Sequence, residues 1–211
     1  MAYVFVILKS AEIVAILALV LYARRRLGSR RLTTAFALTL ALLFASTAFF
    51  GAEQGLLWQE WAKHLVFFAS QAAFYAFVRM LIAHRRAMAD ERRDRPSAAA
   101  LAPAFAARPL LEFVTREGLQ HFASLPLFFV ILAFVQAEKG VVPAGAFRRS
   151  LDLLLSGAFA LALVHVAEFL VESQGAFPWL SGEPIEMLEF ALVFCGLGLF
   201  ALALRRLPSR V

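Results

Sequence analysis

Histidine and acidic side chains recur inside the apolar stretches of this chain, where charge is costly. A charged side chain at the centre of a membrane-spanning helix costs about 2.5–3.5 kcal/mol on insertion scales, so each one needs a partner or a purpose. The ionisable residues in these stretches that need such an account are Lys9, Glu12, His64, His121, His165, Glu168, Glu186 and Glu189.

Two pairs in this set have helical spacing and flank one short connection. His165 and Glu168 are three residues apart, as are Glu186 and Glu189, so each pair shares one face of a helix. Adjacent antiparallel helices would place the pairs side by side. Imidazole with carboxylate suits a divalent transition metal such as Zn, Fe or Mn. The sequence therefore predicts a metal site with His165, Glu168 and Glu189 as the best ligands. The further ligands predicted are Glu12, His64 and His121.

Other interpretations of the same residues stay open. Lys9 and Glu12 are also three residues apart and can simply pair with each other, and polar side chains can bond between helices. The chain would then be a non-catalytic accessory or partner-binding membrane subunit. A third hypothesis is a proton-coupled transporter of small solutes, in which Glu12 or Glu168 exchanges a proton. Haem or quinone binding and lipid hydrolysis are further alternatives.

Composition excludes several classes of protein. Of 211 residues, 62% are hydrophobic and 17% charged, and the mean hydropathy is +0.75, whereas about a quarter of a soluble domain is charged. The one cysteine, Cys195, rules out a disulfide framework or a cysteine metal knuckle. No P-loop, GxSxG motif or separate soluble domain is present. The sequence leaves open whether the chain is an enzyme.

The elements that must position these residues are membrane-spanning helices. Apolar runs of about 20 residues match the thickness of a bilayer, so we predict an all-α, polytopic transmembrane helix bundle that forms one membrane domain. The predicted helices lie near 3–22, 33–52, 64–83, 97–114, 119–137, 150–171 and 184–204, with a charged linker at 84–97. The 97–114 helix is the weakest of these, because it contains two prolines and two charges.

Arginines beside the apolar runs predict the orientation. Lys and Arg collect in cytoplasmic loops, so the arginines at 24–31, 84–95 and 205–210 are expected inside an inner (plasma) membrane. The amino terminus then lies outside and the carboxyl terminus in the cytoplasm. The basic residues do not form the aromatic-rich basic face of a nucleic-acid-binding protein, so no nucleic acid is expected. The expected partners are the lipid bilayer and a membrane protein or a second copy of the chain.

The number of crossings depends on the segment between Arg95 and Gly118. A single helix at 119–137 would put Lys139, Arg148 and Arg149 on the wrong side, and a further crossing at 97–114 corrects this. We therefore favour seven crossings over six. Arginine pairs, acidic residues and tryptophans recur at nearly equal spacing in both halves, which suggests two three-helix units joined by one helix. Seven crossings would also place all the candidate ligands in the outer half of the membrane.

Overall fold

Five helices are defined in a computed structural model of the chain. The structure describes residues 2–48, 57–90, 135–136, 139–140, 142–168, 171, 177, 179 and 182–207. The helices are α1 (Ala2–Leu27), α2 (Arg30–Ala48), α3 (Leu57–Asp90), α4 (Ala146–Glu168) and α5 (Glu183–Arg206). Helices joined by short non-helical connections make up the described part of the chain, in agreement with the all-α prediction.

The helices extend beyond the apolar runs, because an apolar run shows where a helix contacts lipid and does not show where the helix ends. α1 continues through three arginines to Leu27 and stops at Gly28, whose φ of 64° is left-handed backbone that glycine adopts easily. α3 runs to Asp90. The first part of the predicted linker at 84–97 therefore continues α3, since its alanines, arginines and methionine favour a helix. The rest of that linker lies outside the described residues.

One end of the bundle collects the arginines. The Arg26 guanidinium, at the end of α1, donates hydrogen bonds of 3.2, 2.8 and 2.7 Å to the carbonyl oxygens of Leu204, Arg205 and Leu207 at the end of α5. α1 and α5 therefore run parallel. The two-residue connection from α1 to α2 reverses the chain, and α3 reverses it again. We call this end of the bundle the arginine end.

α4 begins at the arginine end, where α3 finishes. The Arg85 guanidinium of α3 lies 5.8 Å from the centre of the Phe147 ring, in the first turn of α4. Lys139 forms an ion pair with Asp152 in the second turn of α4, so the segment before this helix also lies at this end. The prediction that the residues near 139–149 share a side with the first arginine loop agrees with this placement.

Aromatic side chains and two glycines form the centre of the bundle. The Phe36 ring of α2 lies 5.1 Å from Phe77 of α3 and 5.9 Å from Phe200 of α5, which stacks on Phe74 at 5.8 Å. All four rings are buried. α4 and α5 approach closely at Gly157 and Gly196, the arrangement that small residues permit in membrane helices.

Among the described residues, three helices are long and apolar enough to cross a bilayer. The spans are Val6–Leu27 of α1, Leu65–Ala87 of α3 and Glu183–Arg206 of α5. The chain therefore has the character of a helical membrane protein. α2 has only 19 residues and begins with two arginines, whereas α4 carries Arg148, Arg149 and Asp152 in its first two turns.

Neither predicted number of crossings matches the described residues. They contain five helices, with three candidate spans, and not seven crossings. The predicted helices at 97–114 and most of 119–137 lie outside the described residues. The six-crossing alternative puts one crossing between α3 and α4, which would separate the end of α3 from the start of α4. The contact between Arg85 and Phe147 is inconsistent with that separation.

Candidate functional site

The predicted ligands on α1, α3, α4 and α5 lie at one level of the bundle. With a rise of 1.5 Å per residue and the interhelix contacts as reference points, these residues are about 22–29 Å from the arginine end. We call this set the His/Glu level; its members are Lys9, Glu12, His64, His165, Glu168 and Glu189. Helical rise therefore gives these positions similar heights in the bundle, whereas their depth in a membrane stays a prediction. His121 lies outside the described residues.

Among the side chains at this level that the structure describes, Glu12 is the most deeply buried charge. Its side chain has no exposed surface, and its Oε2 atom accepts a 3.0 Å hydrogen bond from the Lys9 ammonium, which is 20% exposed. The two residues are one helical turn apart on α1, the spacing at which side chains on a helix meet. A buried carboxylate is stable here because a cation neutralises it.

The Lys9–Glu12 pair faces α5. The Lys9 ammonium lies 5.0 Å from the centre of the Phe190 ring, a distance at which the ring face attracts a cation. Phe190 is buried, and Glu189 beside it is half-buried. The ion pair and the Glu189 carboxyl group therefore occupy adjoining helices at the same depth. The first helix and α5 meet through a charge and an aromatic ring.

The packing of α4 on α5 brings His165 and Glu189 to equal height. Gly157 and Gly196 fix the register of these antiparallel helices. From that contact His165 lies about 12 Å along α4 and Glu189 about 10.5 Å along α5, both away from the arginine end. Glu168 follows one turn after His165. The helix backbones thus place three of the predicted ligands on two neighbouring helices near one level.

A shared level does not by itself mean that the side chains of the predicted ligands converge. Among the residues whose side chains the structure describes, no three His, Cys, Asp or Glu side chains form a group that could hold a metal ion. Glu12, the predicted ligand that is fully buried, binds Lys9. Of His64, His165 and Glu168 the structure gives the helix positions alone, so the predicted metal site rests on helix register.

One buried polar residue near this level did not enter the predicted site. Gln71 of α3 is 3% exposed, and its Oε1 atom is buried without a hydrogen-bond partner in the described structure. It follows Phe67 by four residues and precedes Phe74 by three, and all three are buried. An amide on the core-facing stripe of a helix was the sequence signal that could have identified it.

Comparisons with protein-family models, with curated proteins and with solved structures find no match for this chain.

Proposed function

We propose that this chain is a multi-pass inner-membrane protein that binds a divalent transition metal at the His/Glu level. His165, Glu168 and Glu189 are the proposed ligands. The observation that carries the proposal is the register at Gly157 and Gly196, which puts His165 and Glu189 at equal height on adjacent helices. Imidazole and carboxylate ligands favour Zn, Fe or Mn.

Charge at this level also favours a cation. Glu12, Glu168 and Glu189 supply three carboxylates and Glu186 a fourth at a similar height, against two lysines, Lys9 and Lys63, on α1 and α3. Lys9 already neutralises Glu12. A bound divalent cation would balance the remaining negative charge, which an apolar surrounding otherwise makes costly. Glu12 then supports the site through Lys9, while His64 and His121 are proposed as additional ligands.

The proposal also includes the orientation of the chain in the membrane. The ends of α1, α3 and α5 and the starts of α2 and α4 all carry arginines at one end of the bundle. Short loops rich in arginine stay in the cytoplasm. We place the arginine end in the cytoplasm, the amino terminus outside, and the His/Glu level in the outer half of the membrane. The metal would then be taken up from the outer side.

Elemental analysis of the purified protein tests the metal site. We expect about one metal ion per chain in the wild type, and loss of at least about tenfold in affinity in H165A, E168Q and E189Q. H84A and E186Q are the matched controls, since His84 lies at the arginine end of α3 and Glu186 is exposed one turn before Glu189. Absence of bound metal from wild-type protein would remove the proposal, as would equal losses in the controls.

A non-catalytic accessory role is the second candidate. It is favoured by the Lys9–Glu12 pair, which joins two opposite charges on α1 and lies against Phe190 of α5. On this hypothesis the polar residues fix helix packing, and H165A and E168Q leave co-purification with a membrane partner unchanged. Proton-coupled transport stays a prediction from the sequence, and proteoliposome flux in an E12Q variant would test it.

A further inference from the structure

A cleft opens between α1 and α2 at the arginine end, far from the His/Glu level. Its volume is about 710 Å³, within the range of about 300–1,000 Å³ that small-molecule sites occupy. The polar lining comes from Arg24, Ser29, Arg30 and the pair Thr33 and Thr34. The apolar lining comes from Val20, Leu21 and Ala37.

The two cleft arginines differ from their neighbour Arg26. Arg26 donates three hydrogen bonds to carbonyl oxygens at the end of α5. Arg24 and Arg30 are exposed, and within the described part of the chain neither guanidinium group makes a hydrogen bond or an ion pair. Each guanidinium carries five N–H donors. The cleft therefore presents two cations whose donors are available to an anion.

The hydroxyl groups beside them are already partly used. Thr33 Oγ1 donates to the Ser29 carbonyl at 3.0 Å, and Thr34 Oγ1 donates to the Arg30 carbonyl at 2.9 Å. Each threonine oxygen can therefore still accept a hydrogen bond. The donors left for a ligand are the two guanidinium groups and the Ser29 hydroxyl, whose oxygen accepts from the Leu32 N–H at 3.5 Å, and such donors suit phosphate oxygens. The threonine oxygens suit a hydroxyl group of the ligand.

The polarity of the cleft changes along the helix axes. Leu21 lies about 4.5 Å further from the arginine end than Arg24, and Ala37 about 10.5 Å further than Arg30. Leu21 is 61% exposed on a helix that is long and apolar enough to span a bilayer. A ligand that fills the cleft thus meets cations at one end and a lipid-facing apolar surface at the other.

We propose that this cleft binds the headgroup of an anionic phospholipid. The phosphate lies between Arg24 and Arg30, the glycerol region meets the threonines, and an acyl chain follows Leu21 and Ala37 toward the bilayer. A soluble anion would leave the apolar part of the cleft empty. A basic pocket between membrane helices at the arginine-rich side has the charge that anionic headgroups require.

Titration of purified protein in dodecyl maltoside with dioctanoyl phosphatidylglycerol, followed by calorimetry, tests the proposal. We expect R24Q/R30Q to bind about 30-fold more weakly, since each arginine near an anionic headgroup contributes about fivefold. R25Q/R31Q is the matched control, because both residues are exposed neighbours outside the cleft lining. It should bind within about twofold of the wild type.

A37W keeps the experiment decisive if the arginine variants fail to fold. The indole fills the apolar part of the cleft and leaves both arginines, so the lipid should again bind more weakly. Equal losses in R24Q/R30Q and R25Q/R31Q, or unchanged binding in A37W, would overturn the proposal. Displacement of the lipid by an equal concentration of inorganic phosphate would also overturn it, as would equally tight binding of dioctanoyl phosphatidylcholine. In either case the site would not be specific for an anionic lipid.

Discussion

Glu12 can lie fully inside the bundle because Lys9 is one turn away on the same helix. Their 3.0 Å ion pair forms within α1, so the helix supplies a counterion for its own buried carboxylate. The pair also positions α1, because the Lys9 ammonium lies over the Phe190 ring of α5. At this position one interaction serves both charge neutralisation and helix packing.

Replacing Glu12 by glutamine should therefore show how much the ion pair in α1 contributes to the stability of the protein. E12Q leaves the Lys9 ammonium without its carboxylate in a mostly buried place. We expect the free energy of unfolding to fall by about 2 kcal/mol, since breaking a buried ion pair is strongly destabilising, whereas polar contacts in membrane bundles contribute modestly. Unfolding in mixed micelles by sodium dodecyl sulfate, followed by circular dichroism, measures the change.

Two further variants allow that result to be interpreted. K9M/E12L removes both charges and should recover most of the lost stability, because no charge is left unpaired. S10A lies on the same helix at an exposed position, where the serine hydroxyl donates to the Val6 carbonyl, and should change little. A double variant as unstable as E12Q would show that the pair does not act through charge.

Residue types and spacing predicted an ion pair in the candidate site but not its surroundings, and the metal site itself stays a prediction. The i, i+3 relation predicted the Lys9–Glu12 pair, and helical rise predicted the shared depth of the ligands. The unpartnered amide of Gln71 depends on which face of α3 is buried, which its apolar neighbours reveal only in retrospect. The cleft at Arg24 and Arg30 depends on the tight Gly28–Ser29 connection, and the sequence alone indicated only arginines at a membrane boundary.

The antiparallel pair α4 and α5 is the element on which the metal hypothesis rests. A Cβ atom on Gly157 would lie 2.7 Å from Phe200 Cδ1, and one on Gly196 would lie 2.6 Å from Leu161 Cγ. Each would also lie 3.0 Å from the carbonyl oxygen of the opposite glycine. The helices can approach this closely only because both positions lack a side chain.

Alanine at either glycine should separate the two helices. We expect G157A and G196A each to lower the free energy of unfolding by about 1–3 kcal/mol, the usual cost of overpacking a core. G198A is the matched control on α5, because its Cβ would meet nothing within 4 Å. Alanine there should be neutral or stabilising by up to about 1 kcal/mol, since alanine favours a helix. The same micelle titration measures all three, and equal effects would refute this role for the glycine pair.

Helix existence was easier to predict than helix ends. Every predicted helix that falls mainly on described residues is present, because runs of apolar residues near 20 long have few other stable forms. The ends differ where charged residues continue a helix, as the arginines of α1 and residues 84–90 of α3 do. Hydropathy reports where lipid contact stops, whereas hydrogen bonding and glycine decide where a helix stops.

At the scale of the whole molecule, the arginine end makes the topology testable. Cysteines at Ala144 and Glu183, in a Cys195→Ala background, lie at exposed positions near opposite ends of the bundle. With the arginine end in the cytoplasm, an impermeant thiol reagent on intact cells should label only position 183. Labelling after permeabilisation confirms that both sites can react. Labelling of position 144 alone on intact cells would reverse the proposed orientation.

The number of crossings could not be predicted from the sequence, and the reason is physical. The positive-inside rule fixes which helix ends share a side, and Arg85 and Phe147 do lie together. It does not decide how an alanine-rich segment with Pro103, Pro109, Arg108 and Glu112 is accommodated, since such a segment is a poor lipid-facing helix and a tolerable buried one. Seven crossings were inferred from that rule, and the described residues contain five helices.

The hydrogen bonds of Arg26 impose an order of events on synthesis. Arg26 and Leu204 are 178 residues apart, so at about 5–20 residues per second Arg26 is made about 10–35 s before its acceptor. During that interval α1 can pack against α2, while the face that receives α5 stays open. A ribosome that stops early releases a bundle with this face uncovered. The contact between α1 and α5 can therefore form only after Leu207, the last of the three acceptor residues, has been synthesised.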